Sequence, residues 1–290
     1  MDTGFKTLSD SPIAIIGYGY VAPHSDGETS FDVTPHLRDR KSLKCMAKQD
    51  RLAVFAATRA VSQAKLNTSG LESSTGIYFT VGTIPFEDNQ LENLFTHSMS
   101  KGCFDMDRFS SEAFLALNPL MTFKCLPNMP VFHVSYNLGI KGPYFVTYPG
   151  PGQWFQALKY AVSDLQNGKV DYALVGAVAD QRNFLVRHHF GRINDAVSKK
   201  LADASCVLVL TAKPSANATA VITGLDVRYD PVDPLSRPHI ETGQSDSLYF
   251  GPVEPCLALA KAIEESKPNK IRYQLATQDG IMSEVRMEVL

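Results

Sequence analysis

Three short runs of almost unbroken apolar and β-branched residues constrain this chain more than anything else in it. They are Gly76 to Gly82 (GIYFTVG), Asp171 to Asp180 (DYALVGAVAD) and Ser205 to Leu210 (SCVLVL). None approaches the ~20 apolar residues that span a bilayer. None alternates with polar residues, as a strand wet on one face would. They read as strands buried on both faces, and such strands need helices layered over them. Ile13 to Gly17 (IAIIG) is a fourth strand of this kind. The helices lie between. From Asp50 to Leu66, Leu52, Phe55, Ala56, Ala60 and Ala64 fall at helical spacing, with Asp50 where a carboxylate favours the helix dipole. After Gly152, one face carries Trp154, Phe155, Leu158, Ala161, Val162 and Leu165. From Glu87 to Ser98 an otherwise polar helix has a single stripe, Leu91, Leu94 and Phe95, at i, i+3 and i+4. This alternation predicts a layered α/β fold.

The segment Asn118 to Gly139 reads as helical after Pro119 and broken at Pro127 and Pro130. Tyr144 to Tyr148 (YFVTY) reads as a further strand. Lys213 to Ala218 (KPSANA) is the one linker-like stretch, dividing residues 1–213 from 214–290. Beyond it come a strand (Ala220 to Tyr229), a Pro-rich loop to about Ser247, a helix (Pro255 to Glu265) and two closing strands. That is too little for an independent core.

Composition removes several classes of function. A formal charge of −2 and a pI near 6.4 give no footing for non-specific nucleic-acid binding, which needs clustered cations. Met1 to Pro12 holds no apolar leader, and no run spans a membrane, so a soluble cytoplasmic protein is expected. Five scattered cysteines without a CxxC pair predict neither a disulfide framework nor a zinc site. His188 and His189 are adjacent and point different ways on a helix or a strand, so they read as solvated rather than as a metal pair. No metal and no cofactor is expected.

The ordered segments carry a resemblance. Arg51 to Leu66 (RLAVFAATRAVSQAKL), Thr75 to Gly82 (TGIYFTVG), Asn118 to Pro143 (NPLMTFKCLPNMPVFHVSYNLGIKGP), Gly142 to Ala177 and Ser205 to Lys213 (SCVLVLTAK) resemble the β-ketoacyl synthases in family order. The resemblance implies a layered αβαβα thiolase-like fold, with residues 1–213 as the N-terminal-like half and 214–290 as a shortened C-terminal-like half. In that family a cysteine at the tip of a helix takes the acyl chain from a carrier protein. Counted without a gap from Gly142-Pro143, that position falls on Pro151. No His-Gly-Thr motif lies between Tyr229 and Leu257, the second histidine position falls near Leu248, and Ile281 stands where a gating phenylalanine is usual. His239 reads as a solvated loop residue.

Nucleophile, bases and gate are thus all lost at once. The resemblance therefore implies a chain-length factor, the ketosynthase β-subunit of type II polyketide systems, with the aryl polyene pathways as the subtype. Its implied partners are an active ketosynthase α-subunit and an acyl carrier protein. Tyr144, Phe145, Val146, Thr147 and Tyr148, with Gln153 and Trp154, fall at the implied subunit interface, and Leu91, Leu94 and Phe95 at the implied chain tunnel. Both sets also admit a plain core reading, and Trp154 reads first as packing its helix. Arg38, Arg40, Lys41, Lys44, Lys48 and Arg51 form a basic group that reads as a solvated face, with an acidic carrier protein as the alternative. Two other functions stay open: an enzyme of altered chemistry, such as a decarboxylase or acyltransferase using another residue, and a homodimeric scaffold that holds a carrier protein. Cys103 and Cys125 can be posed as replacement nucleophiles, but neither follows a strand-to-helix turn, so both read first as buried structural thiols.

Overall fold

A computed structural model describes residues 6–7, 12–23, 29–67, 71–84, 86, 88–193, 200–230, 248–265, 268–277 and 280–290. His239 and the Pro-rich loop lie outside the described residues. Nine strands form one mixed sheet. They are β1 (Lys6–Thr7), β2 (Ile13–Val21), β3 (Thr75–Val81), β4 (Tyr144–Thr147), β5 (Tyr172–Ala179), β6 (Ala204–Thr211), β7 (Ala220–Tyr229), β8 (Lys270–Ala276) and β9 (Ile281–Val289). Their order is β8-β9-β7-β2-β6-β5-β3-β4, with β1 lying beside β7. β3 runs parallel to both β4 and β5, and the remaining pairs are antiparallel. The apolar runs set this order: β3 and β6 are buried at every residue, and β5 at all but the first.

The main helices are α1 (Lys48–Gln63), α2 (Asp88–Ser98), α3 (Met129–Leu138), α4 (Pro151–Gln166), α5 (Phe184–Ile193) and α6 (Glu254–Glu264). On one face of the β2–β6 region, α1 and α3 close a core built on Leu52, Ala56, Ala60, Val134 and Phe79. On the other face, α4 and α6 are enclosed between the two halves of the sheet. Their core joins Ile13, Trp154, Leu158 and Val175 to Leu259, Ile222 and Val285. Residues from both sides of Lys213 therefore share one core, as the shortage of elements after it requires.

Two expectations need correction. The α1 helix starts two residues earlier than Asp50, because the Asp50 carboxylate accepts the Ala47 amide at 2.7 Å and closes the first turn. Pro130 does not break a helix. It sits in the first turn of α3, where its missing N–H costs nothing, and only Met121–Lys124 is helical before it. Among the described residues no helix covers the outer face of β7, β9 and β8. That face is wet and charged, with Glu284 held by Arg272 (2.7 Å) and Arg286 (2.8 Å), and Asp226 by Arg228 (3.1 Å).

Candidate functional site

The site grows from the join between β4 and α4. Gly150 takes φ +138°, a backbone open only to glycine, and turns the chain sharply from strand to helix. Pro151 then opens α4, where its fixed φ suits the first helical turn. The Thr147 hydroxyl ties this turn to the sheet, bonding the Thr80 hydroxyl at 2.7 Å and the Gln153 carbonyl at 3.2 Å. The helix N-terminus is thus presented at the end of a parallel strand, where its unpaired amides and dipole would stabilise an anion. Pro151 supplies neither a thiol nor an amide there.

The C-terminal part completes the surroundings. A β-carbon on Gly152 would stand 3.0 Å from both the Ile281 Cβ and the Thr277 Oγ1, so glycine lets α4 press directly onto the turn before β9. Ile281 is buried and lies beside the Pro151 turn. Leu248 is half-buried and just precedes Gly251–Val253, and it is those three residues that pack on α4 and β5. Sequence reasoning missed Gly251, which adopts φ +57° directly against the Gln181 side chain. A Gly-Pro pair opening a helix was the available signal.

The remaining candidates separate by burial. Tyr144 and Tyr148 are exposed at the outer edge of the sheet, and Phe145 and Val146 are half-buried, with the Phe145 ring 4.1 Å from that of Tyr160. Thr147 and Trp154 are corrections to the interface set. Thr147 turns inward to the bonds just described, and Trp154 is 0% exposed within the chain itself, packed edge-on against Phe155. Gln153 is half-buried. The stripe of α2 does not seal the core: Phe95 is 63% exposed. Leu91, Leu94 and Phe95 meet Phe104, Phe109 and Phe184 around an apolar cleft of about 540 Å³.

The thiols are scattered. Cys256 and Cys206 are fully buried, and burial pushes the Cys256 thiol well above its ordinary range. Cys103 lies exposed in a short hairpin and Cys125 at the end of a helical turn. Lys48 is not part of a free basic face, since its ammonium bonds Asp203 at 2.5 Å and reaches Asp180 at 3.9 Å. His188 and His189 are exposed on α5, and no group of three metal-ligating side chains occurs among the described residues. No helix among them is long and apolar enough to cross a membrane.

A mixed sheet wrapped around a buried helix, with a glycine-led helix tip at the end of a parallel strand, defines the thiolase-type class. The chain belongs to the β-ketoacyl synthase family: residues 26–207 match the beta-ketoacyl synthase N-terminal domain. No curated protein matches it. Three solved structures share the fold, each covering 97% of this chain and 100% of its own. One is a type II polyketide ketosynthase in complex with its acyl-carrier protein, bound to the hexaketide (TM-score 0.71, 14% identity). Another is a β-ketoacyl synthase from Burkholderia phymatum (0.70, 13%). The third is the ishigamide ketosynthase/chain length factor (0.71, 12%).

Proposed function

We propose that this chain is a non-catalytic chain-length factor, which pairs with an active β-ketoacyl-ACP synthase and shapes the tunnel for the growing chain in type II polyketide biosynthesis. The aryl polyene pathways are the subtype its sequence resembles. The observation that carries the reading is Pro151 at the helix tip where the family places its cysteine. At that tip the strand, the glycine turn and the helix N-terminus are present, and a proline stands in the nucleophile's place. Burial raises the Cys256 thiol, which disfavours the reactive thiolate form.

The surface supports a partner. β4 is the terminal strand of the sheet, with Tyr144 and Tyr148 exposed. An apolar edge left open is a template for unwanted pairing, and a second subunit covers it. The exposed Phe95, Phe104, Phe114, Leu115 and Phe123 extend the same kind of surface. Among proteins of this fold, one is described as a ketosynthase/chain length factor and another as bound to its acyl-carrier protein.

The test is co-expression with the ketosynthase encoded beside it, followed by intact-mass measurement after incubation with acyl-carrier protein or cerulenin. This subunit keeps its mass while its partner gains one adduct, and Pro151→Cys alone does not give condensation. A stoichiometric adduct on this chain would revive the altered-chemistry enzyme.

A further inference from the structure

We propose that the open edge of β2 is a docking site for an extended peptide strand bearing an acidic side chain. β2 pairs with β6 along most of its length, but on its other side β7 reaches only Ile13, Ala14 and Ile15. Beyond Ile15 no strand follows among the described residues. The Tyr18 amide points away from β6 and is capped by the Gln63 side chain at 2.5 Å. By the two-residue repeat of a strand, the backbone groups of Tyr20 point the same way. No backbone hydrogen bond leaves Tyr20 across that edge among the described residues.

The sheet itself shows what such an edge accepts. β2 and β7 cover each other over three residues, so each keeps an open stretch beyond the contact. On β7 that stretch is filled by an extended piece of this chain, β1, which pairs Lys6 with Leu225 and Thr7 with Gly224. On β2 the corresponding stretch faces a groove of about 1020 Å³. Phe55, Thr58 and Arg59 of α1 form one wall, and Tyr18, Tyr20 and Glu264 the other. Gly17 and Gly19 bring α1 down onto the strand, since a β-carbon on either would come within 2.6 Å of an α1 carbonyl. The groove therefore runs along the edge rather than over the face. Unpaired edge amides and carbonyls recognise extended backbone, and the flanking side chains choose its sequence.

Charge makes that choice. Arg59 is exposed, with its guanidinium 5.6 Å from the Phe55 ring centre, and no carboxylate pairs with it among the described residues. His36 packs against the same ring at 5.1 Å. Glu264, the one carboxylate among the described residues lining the groove, is already engaged by the Tyr20 hydroxyl. Among the described residues, an incoming aspartate or glutamate would find no carboxylate paired with Arg59.

This inference is independent of the subunit-pairing reading. The probe is a phage-displayed random peptide library panned on the purified full chain, alone or paired with its ketosynthase, with the recovered peptides resynthesised. The recovered peptides are expected to carry Asp or Glu. Arg59→Glu weakens their binding by about tenfold or more while Arg59→Lys largely keeps it, both at unchanged melting temperature. N-methylation of one alternating set of peptide amides abolishes binding, and methylation of the other set does not. The proposal is overturned if no peptide is retained, if binding ignores Arg59→Glu, or if both methylated sets bind alike. The methylated peptides need no variant protein and so decide the matter even if Arg59→Glu fails to fold.

Discussion

Replacing Phe95 by alanine separates two roles that the α2 stripe could play. A phenylalanine fully buried in a core costs about 3–5 kcal/mol when cut to alanine. Phe95 is 63% exposed, so only about a third of its burial energy is at stake. Full burial of such a side chain is worth ~1.5–3 kcal/mol, so the expected loss is about 0.5–1 kcal/mol. For a chain of this size that is a drop of roughly 1–4 °C in melting temperature. Phe155→Ala is the internal control, since Phe155 is fully buried against Trp154 and should show the full cavity cost. If Leu91, Leu94 and Phe95 line the chain tunnel, Phe95→Ala widens the apolar cleft and the reconstituted heterodimer makes longer products. The assay pairs product profiling by mass spectrometry with a thermal melt. An unchanged product length at the small expected loss of stability refutes the tunnel role. A loss as large as that of Phe155→Ala refutes the estimate from exposure, and with it the placing of Phe95 at the cleft.

Two further predictions concern the second part of the chain and its contact with α4. Burial raises the Glu254 carboxyl to about 7 from an ordinary 4.5, so folding retains a proton that the unfolded chain releases. Its contribution to stability is complete below about pH 4.5 and is lost as pH rises through 7. Glu254→Gln should therefore flatten the fall in urea stability between pH 5 and pH 8 relative to the parent chain, and an identical pH profile would show that Glu254 is solvated. Gly152→Ala forces a β-carbon to within 3.0 Å of Ile281 and Thr277 and should cost about 1–3 kcal/mol in a denaturant titration. Unaltered stability would mean that the turn before β9 yields to α4.

The sequence by itself determined the strands, the main helices and the proline at the head of α4. Continuous apolar runs such as Tyr172–Ala179 have one stable use, a strand with helices on both faces, and the periodicity of α4 leaves little choice about its buried side. Pro151 could be placed by counting alone, because the Gly-rich turn before it fixes the register. Tertiary structure decided what local pattern cannot encode, namely which apolar residues meet water. Phe95 and Trp154 look alike as aromatic members of helical stripes. Trp154 lies on the helix enclosed between the two halves of the sheet, whereas α2 lies over an open cleft. The wet outer face of β7, β9 and β8 and the open edge of β2 were hidden for the same reason. Both depend on where β7 meets β2, a contact of three residues between segments some two hundred positions apart. Neighbours along the chain carry no trace of it, because a strand reads the same whether or not its edge is covered.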